Sequence, residues 1–182
     1  MAEAFSNKIT RAAGIVTTSS SGSIGVTTTI ITGISTVGVA VSDLVDNANF
    51  IAGTKVTGYG AAASQVVVDQ TSTNTATVTG SAIVNFLGMT TAYTSAAATK
   101  SILIGGTFAN NTTRSVNLTV EIHDASAGIQ AAIASKIPVP TGSSFVISDA
   151  GKSVLEATDE VRVFCDTANA IDVNLSILTG VS

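Results

Sequence analysis

The side chains able to do chemistry in this chain are few and scattered. There is one histidine, His123, and one cysteine, Cys165. His123 closes the stretch "RSVNLTVEIH", in which Val116, Leu118, Val120 and Ile122 alternate with Ser115, Asn117, Thr119, Glu121 and His123. A period of two describes a strand with one buried and one wet face. It places Glu121 and His123 on the wet side, near the strand's end. A general base needs a partner and a pocket, and the pattern supplies neither. Zinc usually takes four ligands from His, Cys and carboxylates, so one His and one Cys leave such a site short. Cys165 alternates with Val161 and Val163 and is expected to be a buried, inert thiol. With a single cysteine, no internal disulfide can form.

Two acidic clusters are the remaining candidates. Asp43, Asp46 and Asn47 in "SDLVDNAN" could offer oxygen ligands to calcium. Their spacing matches no EF-hand loop, and a polar turn is the simpler expectation. Glu156, Asp159, Glu160, Asp166 and Asp172 could include a glycosidase-like carboxylate pair. They fall at turn ends and on outward positions, and a sugar cleft would want aromatic platforms where this chain has no Trp and two Tyr. Arg162 is expected to pair with Asp172 or Asn174 across a hairpin. No nucleotide, hydrolase or metalloprotease motif is present. The sequence therefore predicts no enzyme, no cofactor and no metal.

Composition says what must position these groups. Charged residues are 11% of the 182, against roughly 25% in an average globular protein. Hydrophobic residues reach 45%, enough for a core, and the net charge of −4 offers no basic footprint for nucleic acid. No apolar run is long enough for a membrane-spanning helix, and the first twenty residues lack a signal-peptide pattern. Abundant Thr, Val and Ile favour pleated strands, and scattered glycines favour short turns.

The predicted architecture is all-β. Residues 1–22 read as an arm, with "SSSGS" at 19–23 as a tether. Phe5, Ile9, Arg11 and Ile15 in that arm are the candidate interaction residues. Residues 23–88 read as a small β module and 89–99 as a junction or first strand. Residues 100–182 read as a β-sandwich or jelly-roll-like domain. In that last part, Gly105-Gly106 marks a bulge or bend. "AGIQAAIASKIPVP" is open between a helical turn and extended chain. "DAG" and "AN" read as hairpin turns, and Ile171, Val173, Leu175 and Ile177 share one face.

The stretch "KIPVPTGSSFVISDAGKSVLEATDEVRVFCDTANAIDVNLSIL" resembles small β-sandwich structural proteins of tailed bacteriophages, marine and cyanobacterial phages included. The resemblance rests on an "IPVPxGSS" turn, "GKxVLEA", an acidic turn, an "RV" strand and a closing "AIDVxLSIL". One departure is Thr158, where similar modules often carry Gly. A turn needing φ > 0 would strain a β-branched residue there. The resemblance implies a virion structural protein, assembled in the bacterial cytoplasm. A capsid decoration or cement protein, trimeric and bound to the major capsid protein, is the leading expectation. A neck, tail or fibre-associated protein is the first alternative, a carbohydrate-binding recognition module the second and a β-sandwich hydrolase the last.

Overall fold

The computed structural model describes residues 3–51, 53–148 and 152–181. Every regular element among them is a strand. The chain divides into two compact units.

The larger unit joins residues 1–14, 90–165 and 169–182. One of its sheets contains β1 (Ala4–Ala13), β15 (Ile171–Val181), β9 (Lys100–Asn110) and β12 (Ser144–Ile147), in that order, with β13 (Ser153–Leu155) also on β9. The second has the order β11 (Ile129–Val139), β10 (Val116–Asp124), β14 (Glu160–Cys165) and β8 (Thr90–Thr94). All these pairings are antiparallel. With β12 and β13 sharing one position along β9, this is the eight-strand order of a jelly roll.

Alternation explains the packing. Val173, Leu175 and Ile177 of β15 meet Leu118, Val120 and Val163 of the opposite sheet in one fully buried cluster. Each such side chain contributes roughly 1.5–3 kcal/mol on burial. Phe108 of β9 packs its ring against Phe145, with centroids 6.1 Å apart. The expected bend at Gly105-Gly106 is a bulge. Ile177 pairs with Leu103 while Ser176 pairs with Gly105, leaving Ile104 extra. A Cβ on Gly106 would approach Leu175 to 2.8 Å, and one on Gly105 would approach the Ile147 carbonyl to 2.7 Å.

The smaller unit spans residues 15–89 with 166–168. It is inserted in sequence between β1 and β8. Its sheet has the order β4 (Leu44–Asp46), β7 (Val78–Leu87), β2 (Val16–Ile24), β3 (Ile30–Thr32), β6 (Gln65–Val68) and β5 (Val56–Tyr59). The two ends of this order meet. Leu44 bridges Lys55, the Val45 N–H donates to Thr54 O at 2.8 Å, and the Val56 N–H donates to Asp43 O at 2.9 Å. The sheet thus closes into a small barrel, which removes its free edges. Ile24, Ile31, Val66, Val84 and Phe86 fill its interior.

Several boundaries differ from the sequence reading. Residues 4–22 do not form the arm expected of 1–22: β1 pairs with β15 from Ala4↔Thr179 to Thr10↔Val173. The tether "SSSGS" lies in β2, where Ser19, Ser20 and Ser21 face Asn85, Val84 and Ile83 of β7. Glycine is required at position 22 of that stretch, since a Cβ there would collide with Ile34 and the Thr32 carbonyl. Residues 129–139 are strand throughout, with Lys136 at φ +52° absorbing a bulge. The "AN" turn joins strands of different sheets, so β14 and β15 form no hairpin. The "DAG" turn at 149–151 lies outside the described residues. The strands flanking it run in succession along β9.

Candidate functional site

The outward face of the β1-containing sheet gathers most of the sequence-selected interaction residues. On β1, Phe5, Asn7, Ile9 and Arg11 alternate outward, with Phe5 63% and Ile9 73% exposed. Register aligns them with residues that the sequence reading passed over. Phe5 lies in one row with Leu178, Ile102 and Val154, and Ile9 in another with Asn174, Thr107 and Val146. Val146 and Val154 are exposed to the same degree, 57%. Their signal was present in "SFVI" and "SVL", where the flanking residues turn to the core. Ile15 is separate from this face. It follows Gly14 at φ +85° and belongs to the barrel unit.

The outward face of the second sheet carries a polar cluster instead. In register, His123 faces Glu160 and Glu121 faces Arg162 across β10 and β14. The Arg162 Nε–H donates to Glu160 Oε2 at 2.6 Å, and His123 Nδ1 stands 4.0 Å from the same oxygen. Glu121 keeps its regular pairing with Arg162 and stays on this face, although the pairing of β10 with β11 shifts beside it. It is 7% exposed, not wet as alternation implied. The His123 side chain keeps 19% of its exposure. Arg162 therefore meets a carboxylate on its own strand rather than Asp172 or Asn174. The 2.6 Å bond lies within β14, and His123 approaches it from β10. Pairs of this partly exposed kind contribute little to stability.

The acidic residues of 156–172 are dispersed by the fold. Glu156 pairs with Lys100 at 3.1 Å. Asp159 is buried and accepts the Ala125 and Glu156 N–H groups at 3.1 and 2.9 Å. Asp172 sits on the other sheet, where its Oδ1 accepts the Ala12 N–H at 3.0 Å. These are the bonds of turn and bulge carboxylates, not of two groups facing one substrate. Thr158 does adopt φ +69°, so the turn keeps a glycine-like backbone on a β-branched residue. Asp124 accepts N–H bonds from Ser126 and Ala127, each at 2.9 Å. The Ala127 N–H, then the Ser126 hydroxyl, hold its carboxyl below the usual range.

In the barrel, Asp43 is buried, and its Oδ2 accepts the Ala40 N–H at 2.8 Å and the Thr17 hydroxyl at 3.2 Å. Asn47 bonds Ile83 O and the Asn49 N–H, both at 2.8 Å. Both residues act as loop pins. Cys165 is fully buried. Among the described residues, no three of His, Cys, Asp and Glu come together as a metal site.

No family model matches the chain, and no curated protein matches it. Among solved structures, the chain is similar to that titled "Crystal structure of infectious bursal disease virus VP2 subviral particle". Identity is 12% and the TM-score 0.34, over 98% of this chain and 72% of that one.

Proposed function

We propose that this chain is a non-enzymatic structural protein of a virion, and specifically a decoration or cement protein on a tailed-phage capsid. The observation that carries this reading is the outward face around Phe5, Ile9, Val146 and Val154. It exposes four large apolar side chains on a closely packed sandwich, in rows they share with Asn174 and Thr107. Monomeric proteins rarely expose large contiguous apolar patches, and such patches mark interaction sites. Jelly rolls recur in capsid and lectin domains, though a fold alone does not decide function. The sequence resemblance of residues 136–178 to phage structural modules supports the first of these. Self-association and contact with a major capsid protein belong to the same proposal.

The test is copy number. A stained gel of purified virions should show the chain at hundreds of copies per particle, in proportion to the shell protein. About six to twelve copies, the number expected of a ring or a few trimers, would move it to the neck or tail. Absence from purified particles, or specific binding on a glycan array, would overturn the structural reading.

A further inference from the structure

The outward face of the β1 sheet has a relief and a charge pattern that match a second copy of itself. Phe5 and Val154 mark one ridge across the strands, Ile9 and Val146 the next. Between the ridges is a groove of 270 Å³ over Ser176 and Gly105. Beyond the Ile9 ridge is another of 360 Å³, bounded by Arg11 and Asp172. Ridges four residues apart on one face, with the Asn7–Ser176 row as the groove between them, can seat in the grooves of an identical face. Sheets pack this way at about 10 Å.

The charges obey the same symmetry. Arg11 has no ion-pair partner among the described residues. Asp172 lines the same groove, beside Arg11 on the neighbouring strand. In a twofold contact, residue i meets j and j meets i. One cation and one anion on the same face then make two ion pairs. Four strands about 4.8 Å apart and eight residues at about 3.3 Å give roughly 500 Å² per copy. Two copies reach about 1,000 Å², where specific interfaces begin.

We propose that this face is an isologous contact with a second copy of the chain, in which Arg11 of each copy pairs with Asp172 of the other. A pair replaces the trimer expected from sequence. The inference does not depend on the virion reading: it is tested on the isolated chain, whereas copy number is tested in particles.

Sedimentation equilibrium of the full chain should give a mass near twice 18.1 kDa. Ile9→Asp and Phe5→Asp should each weaken self-association at least about ten-fold, equivalent to about 1.4 kcal/mol. Arg11→Gln and Asp172→Asn should each weaken it about five-fold, and the double variant no further, because both remove one interaction. Asp172→Asn keeps an oxygen for the Ala12 N–H, so β1 is preserved. Val37→Asp, in the barrel, should change nothing. Circular dichroism checks that each variant folds. A chain that stays monomeric at about 100 µM, well above micromolar dissociation constants, overturns the proposal. So does an oligomer indifferent to Ile9→Asp and Phe5→Asp, or strictly additive effects of the two charge variants.

Discussion

The jelly roll and the inserted barrel solve the same problem by different means. The sandwich uses strands of nine to eleven residues, such as β9, β10, β11 and β15, whose alternation builds a two-sheet core. The barrel has four strands of only three or four residues, β3, β4, β5 and β6. Its long connections are tied down by side chains bonding to backbone. Asp43 holds the Ala40 N–H, the Ser72 hydroxyl donates to Gly25 O at 2.7 Å, and the Thr54 hydroxyl donates to Ile51 O at 2.7 Å. Where strands are long, burial pattern carries the structure. Where they are short, polar pins must complete it.

The largest expected effect tests the sandwich side of that contrast. Phe108→Ala empties the space beside Phe145 and should cost about 3–5 kcal/mol in urea denaturation. A loss under about 1 kcal/mol would mean the two-sheet core is not the main support. Next comes a barrel pin. Asp43→Ala removes the buried carboxylate that accepts the Ala40 N–H and one of the two acceptors of the Thr17 hydroxyl, and should cost about 1.5–3 kcal/mol. Hydrogen exchange should then rise across residues 36–43 while β9 and β15 stay protected. Uniform loosening of both units would erase the distinction. Third, and of opposite sign, Thr158→Gly relieves a β-branched residue at φ +69°. It should stabilise the sandwich by about 1 kcal/mol, strain relief being partly offset by a freer unfolded chain. A destabilised variant would show that the Thr158 side chain matters more than its backbone.

The smallest effect is a pH dependence. The Asp124 carboxyl titrates below its ordinary 3.8 in the folded chain. A depressed carboxylate contributes stability above its unfolded pKa, and this is lost as pH falls through the folded one. Asp124→Asn should therefore lower stability slightly at neutral pH and flatten the acid-side decline below about pH 4. An unchanged acid limb would remove Asp124 from the account.

The same contrast explains what the sequence discloses. The inward set Ile171, Val173, Leu175 and Ile177 is legible because alternation over a long strand is unambiguous. β1 is not legible, since its inward residues include Ser6, Lys8 and Thr10 while Phe5 and Ile9 point out. Only its partner in β15, remote in sequence, makes it a strand. Within β10 the period-two reading gives the two faces, with Ile122 against the core and Glu121 beside Arg162, but not the burial of Glu121, which depends on neighbouring strands and cannot be seen in one. The candidate residues Phe5, Ile9 and Arg11 read from sequence as parts of an arm, and only the pairing of β1 with β15 places them on one face. Val146 and Val154 join them through register alone. The barrel's three-residue strands are too short to show any period, and its closure rests on the bridge from Leu44 to Lys55 and the backbone bonds beside it.

The insertion of the barrel between β1 and β8 sets a timetable. β1 leaves the ribosome some 160 residues before the strand that receives it, as the Ala12–Asp172 bond records. At about 5–20 residues per second, β1 waits roughly ten to thirty seconds for β15. Throughout that interval Phe5 and Ile9 ride on an unpaired strand, where Asn7, Lys8 and Arg11 interrupt what would otherwise be an adhesive segment. The β1 sheet can close only once β15 has been made, so a copy terminated before residue 171 would lack the strand between β1 and β9.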